Sequence, residues 1–104
     1  MSTNYVSNGK TVTLPAPTGG SVAGIPQVID SLAVMPLQSG SKGASITYHT
    51  EGEWEAPAAA GLKAGAKVSV LDGQLVAPDT ADSKPYGKLT TDVVNGSAYV
   101  LIVQ

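Results

Sequence analysis

The residues of this chain with the widest chemical reach lie together at mid-chain, in Ile46–Pro57, ITYHTEGEWEAP. The stretch holds the single His (His49), the single Trp (Trp54) and three glutamates at alternate positions, Glu51, Glu53 and Glu55. Read as a strand, it puts His49 and the three glutamates on one face, and Tyr48, Thr50, Gly52 and Trp54 on the other. Alternate residues on a strand lie under ~7 Å apart, so an imidazole and two carboxylates there could share a metal ion. Paired glutamates could also exchange protons with a substrate, but nothing else in the sequence supplies a nucleophile or a pocket. A solvated acidic strand face is the commoner origin of such a pattern, and it protects an edge from unwanted pairing. No catalytic residue, metal ligand or cofactor site is therefore assigned, and the chain is expected not to be an enzyme. Trp54 is assigned to the core.

Other chemistry is thinly supported. Gly19–Gly20 lacks the following Lys-Ser/Thr and the helix that a phosphate-cradling loop needs. The Asp72–Gly73 turn carries no Lys at its tip, which sets aside a lipoyl- or biotin-carrying hairpin. Sugar sites favour exposed aromatics, and Trp54, Tyr48 and Tyr86 are few and dispersed; a small carbohydrate-binding β module stands as the alternative reading.

Composition narrows the partners. The six basic residues are all Lys and scattered, against eight acidic residues, for a net charge of −2. Without Arg forks or a basic cluster, nucleic acid is not an expected partner. Charged residues make up 13% of the chain, about half the usual share, which suits close packing against other protein. Cys is absent, so disulfides and thiolate metal sites are excluded. MSTNYVSNGK does not read as a signal peptide, and no apolar run approaches the ~20 residues of a membrane span. No membrane partner is expected, and synthesis is placed in the cytoplasm.

The 104 residues make one domain. Met1–Gly9 reads as an extended N-terminal arm, and residues 10–104 as a single β domain. Lys10–Leu14 alternates as a half-buried strand, and Pro26 puts its own run at an edge or a bulge. Leu32–Leu37 is apolar on both faces. Ala44–Glu55 reads as one long strand or a tight hairpin. Pro57, Gly61 and Gly65 argue against a helix over Ala56–Ala66. Asp72–Gly73 between two β-branched runs signals a two-residue hairpin turn. Tyr86–Asp92 and Ala98–Val103 are joined by a turn around Asn95–Gly96. Ala98–Val103 is again apolar on both faces, and such a strand must be covered on both sides. About eight short strands and no helix mean an all-β fold, a small barrel or sandwich. Phe is absent and five residues are aromatic, so the core must be built from Val, Ile, Leu and Ala. A core that thin gains from burying more apolar surface between copies, and the candidate contacts are Leu32 and Val34 in one strand and Val100 and Ile102 in the other.

From Asn4 to Val103 the chain resembles the capsid cement (decoration) proteins of tailed bacteriophages. The order of landmarks carries the resemblance: Asn4-Tyr5-Val6 with Gly9; Ser21-Val22-Ala23-Gly24 after a Pro/Gly/Ala loop; Leu32-Ala33-Val34; Glu51-Gly52-Glu53-Trp54-Glu55-Ala56-Pro57; Ala64-Gly65 leading into Lys67–Leu71 and Asp72-Gly73; Tyr86-Gly87; and Tyr99–Val103. The chain departs from the family pattern at Leu32-Ala33-Val34-Met35, Ala58 and Ala66. The resemblance implies a non-enzymatic virion protein on the capsid exterior. Its partners would be the major capsid protein and further copies of itself, as a homotrimer. It also implies that the arm residues Asn4, Tyr5, Val6 and Gly9 contact the shell.

Overall fold

The computed structural model describes residues 9–104. The described chain is all-β, with nine strands in two antiparallel sheets. Strands β1 (Thr11–Pro15), β2 (Gln27–Ile29), β3 (Leu32–Pro36) and β4 (Ser45–His49) form the first sheet in the order β1-β4-β3-β2. Strands β5 (Glu53–Pro57), β6 (Lys67–Leu71), β7 (Gln74–Val76), β8 (Lys84–Leu89) and β9 (Ser97–Ile102) form the second, in the order β5-β9-β8-β6-β7. A parallel bridge between Ala58 and Leu75 ties the β5 and β7 sides of the second sheet together.

Local sequence explains much of this. In β1, Val12 and Leu14 turn inward opposite Tyr48 and Ile46 of β4, while Thr11 and Thr13 stay exposed. Leu71 pairs with Gln74 around Asp72 and Gly73, which have φ of 51° and 80°. Two consecutive left-handed residues are what the mirror-image type I′ turn demands, and Asp-Gly supplies them at least cost. The β2–β3 hairpin turns at Asp30, with φ 57°, a conformation that Asp tolerates through its short polar side chain. Pro26 is fully buried immediately before β2, an edge strand, and so breaks no ladder.

Two apolar clusters hold the sheets. The larger joins Ala33 and Met35 of β3 to Ala56, Val68, Val70, Leu75, Tyr86, Leu89, Ala98, Val100 and Ile102 of the second sheet. The smaller lies on the opposite face of the first sheet, where Val34, Ile46 and Tyr48 meet Ala16, with Val12, Leu14, Ile29 and Leu32 packed around them. Strand β3 serves both clusters, which is why Leu32–Leu37 is apolar on both faces. With no Phe available, Tyr48, Tyr86 and Met35 are the largest fully buried side chains. Each tyrosine hydroxyl is bonded: Tyr48 to Ser21 Oγ at 2.7 Å, and Tyr86 to the Val34 carbonyl at 2.8 Å. A buried hydroxyl without a partner would cost ~1–3 kcal/mol.

One expectation is corrected. Ala44–Glu55 is neither one strand nor a hairpin, because β4 and β5 belong to different sheets and Thr50–Gly52 carries the chain between them. The change of direction falls on Gly52, with φ 110°, which side chains with a Cβ disfavour. Within one chain, β9 is covered on one face only. Val100 and Ile102 enter the larger core, whereas Tyr99 and Leu101 stay 47% and 42% exposed.

Candidate functional site

The four residues of the supposed acidic face do not converge. His49 closes β4 and lies against Trp54, the ring centroids 4.7 Å apart and the planes tilted by 40°. Trp54 is half-buried against the larger core, and its indole N–H donates to the Glu51 carbonyl at 3.1 Å. Glu53 and Glu55 lie on the outward face of β5, accepting hydrogen bonds from the Thr90 hydroxyl at 2.5 Å and the Ser97 hydroxyl at 3.4 Å. Among the described residues, no three of His, Asp and Glu are placed to hold a metal ion.

The other singled-out residues fall as follows. Asn4, Tyr5 and Val6 lie outside the described residues. Gly9 begins the described chain, and its carbonyl accepts a hydrogen bond from Thr50 Oγ1. Leu32 is half-buried beside the smaller core. Val34 and Val100 are fully buried, and Ile102 is 7% exposed. A single chain already covers these three, so they offer no side-chain surface to another copy. Their assignment to an interface between copies is corrected: the apolar surface on β9 is the opposite face.

That face is built by the register of the second sheet. Leu101 stands directly across from Glu53 of β5 on one side and Lys88 of β8 on the other, and Lys88 stands across from Lys67 of β6. One row across the sheet therefore reads Glu53, Leu101, Lys88, Lys67, with all four side chains exposed. In the next row Glu55 faces Tyr99, whose carbonyl accepts from the Thr90 N–H at 2.9 Å. Val103, 48% exposed, continues the apolar stripe past the end of β9. It borders a shallow depression of about 310 Å³ shared with Lys67, Lys88 and Pro85. The result is a greasy stripe along a central strand, with an acidic column, Glu53 and Glu55, on its β5 side and a basic pair, Lys88 and Lys67, in one row on its β8–β6 side.

These charges cannot neutralise each other within one chain. Glu53 and Lys88 are separated by β9, two strand spacings or ~10 Å, with Leu101 between them. Lys67 and Lys88 are direct cross-strand neighbours of like charge, an arrangement that costs stability unless something opposes it. Neither lysine has a carboxylate partner among the described residues.

Sequence reasoning found the apolar character of Ala98–Val103 but not which half of it faces out. It missed the Lys67–Lys88 pairing, since the two are far apart in sequence and meet only through the β6–β8 ladder. Comparison with protein-family models, curated proteins and solved structures finds no match to this chain.

Proposed function

We propose that this protein is a structural component of a virion. It decorates the outside of an icosahedral bacteriophage capsid as a homo-oligomer, a trimer in the form the family resemblance implies. It cements neighbouring major capsid protein subunits and stabilises the expanded shell. The support from geometry is the outward stripe of Tyr99, Leu101 and Val103, an apolar sheet face of the kind that proteins cover with other protein. The order of landmarks along the sequence supplies the rest.

The physics of such a role is simple. An oligomer touching several capsid subunits at once multiplies modest single-site affinities through effective concentration. Binding to the expanded shell alone stabilises that state by mass action. Asn4, Tyr5, Val6 and Gly9, which precede β1 in the sequence, are the proposed shell contacts.

Co-sedimentation tests this reading. The purified protein is mixed with expanded and unexpanded shells assembled from the major capsid protein of the virus that encodes it. Selective binding to expanded shells, with a rise in their melting temperature, is expected. Failure to sediment with either shell, especially alongside binding on a glycan array, would overturn the reading in favour of a carbohydrate-binding module.

A further inference from the structure

We infer that copies of this chain associate through the outer face of the five-stranded sheet, around a symmetry axis parallel to β9. Copies pack Tyr99, Leu101 and Val103 together at the axis, and Glu53 of each copy meets Lys88 of the next, with Lys67 beside it in the same row. This deepens the proposed homo-oligomeric function and rests on it.

The occupant of the face is identified by its charge pattern. A partner must offer an apolar strip flanked by a basic group opposite Glu53 and an acidic group opposite the Lys88–Lys67 pair. This face meets that description itself. Rotation about an axis running along β9 carries the acidic side of one copy onto the basic side of its neighbour. It also preserves height along the axis. Glu53, Leu101, Lys88 and Lys67 share one row across the sheet, so the opposite charges arrive at the same level. An axis perpendicular to the strands in the plane of the sheet would instead set glutamate against glutamate and lysine against lysine. The charges therefore select one axis direction, and they discriminate against slipped or inverted packings. The Lys67–Lys88 repulsion found in the single chain becomes a binding determinant once Glu53 of the next copy faces it.

Four strands ~4.8 Å apart and some five residues long give a face of roughly 300 Å² in projection. That is below the ~800 Å² per partner of a standard interface, so the association is weak and concentration-dependent.

Sedimentation of the purified full chain from about 1 μM to about 1 mM tests the inference across the range of weak affinities. The native protein should self-associate with rising concentration and dissociate with added salt. Leu101→Glu and the double variant Lys67→Glu/Lys88→Glu should stay monomeric, with circular dichroism reporting that each is folded. The fourfold exchange Glu53→Lys/Glu55→Lys/Lys67→Glu/Lys88→Glu restores opposite charges at every contact, and should associate as the native chain does. A native chain that is monomeric throughout overturns the inference, as does a Leu101→Glu chain that associates normally. A folded fourfold variant that stays monomeric also overturns it. A native monomer that still sediments with expanded shells would overturn this inference alone and leave the decoration reading standing.

Discussion

The Tyr86 hydroxyl on β8 donates to the Val34 carbonyl on β3 at 2.8 Å, a buried hydrogen bond that joins the two sheets through their backs. Burial raises the Tyr86 phenol above its ordinary range, because the phenolate would lose its hydration. A folded-state pKa above the unfolded value of about 10 means the contribution is complete below pH ~10 and is lost as pH rises through the folded value. Urea unfolding should therefore give level stability through neutral pH and a fall above about pH 10. Tyr86→Phe should cost about 1 kcal/mol at pH 7 and remove that alkaline component.

Gly87 on β8 leaves no room for a side chain, since a Cβ there would run into the carbonyl oxygen of Leu101 on β9. The obstacle is backbone and cannot swing aside. Gly87→Ala should destabilise the protein by about 1–3 kcal/mol or more by forcing β8 and β9 apart. Lys88→Ala, one residue on and exposed, should stay within about 0.5 kcal/mol in the same denaturant titration.

The side chain of Gln104 completes the backbone pairing of β3. Its Oε1 accepts from the Ala33 N–H at 3.0 Å, while Nε2 donates to the Ala33 carbonyl at 2.6 Å and to the Thr50 carbonyl at 2.9 Å. Gln104→Ala should cost about 1–2 kcal/mol and speed hydrogen exchange at the Ala33 amide. Gln104→Glu should cost more, because a carboxylate would then face two carbonyl oxygens.

The loop between β1 and β2 is pinned through one buried hydroxyl. Ser21 Oγ donates to Gln27 Oε1 at 2.7 Å and lies 2.7 Å from the Tyr48 hydroxyl, and Gln27 Nε2 donates to the Gly20 carbonyl at 3.1 Å. Ser21→Ala should cost about 1–3 kcal/mol by leaving the Tyr48 hydroxyl without its partner. Faster amide exchange over residues 16–26, with little change in the second sheet, is the expected signature.

The fold class was legible because its strongest signals are local. Alternation in Thr11–Pro15 and the Asp72–Gly73 turn depend only on near neighbours and on which residues accept positive φ. The crossover at Thr50–Gly52 was not legible, since Ala44–Glu55 keeps its alternation through the change of sheet. Gly52 marks a break but does not say which sheet receives the next strand. Leu32–Leu37 and Ala98–Val103 read alike as two-faced apolar strands, yet β3 is buried on both faces and β9 on one. What covers a strand is decided by distant elements, so the pattern alone assigned Val100 and Ile102 to an interface and passed over Tyr99 and Leu101. The paired lysines and the Gln104 contacts are long-range in the same sense.

Every ladder of the first sheet lies within residues 11–49, and every ladder of the second within 53–102. The gene is thus written as two consecutive paragraphs, punctuated at Gly52. Genetic recombination at that point could swap one sheet wholesale without cutting a ladder in the other. The newcomer would need to repack against Ala33 and Met35 of β3 and to replace the contacts of Tyr86 and Gln104 to that strand. A lineage could in this way change the outward charges of Glu53, Glu55, Lys67 and Lys88 as one block while keeping the first sheet unaltered.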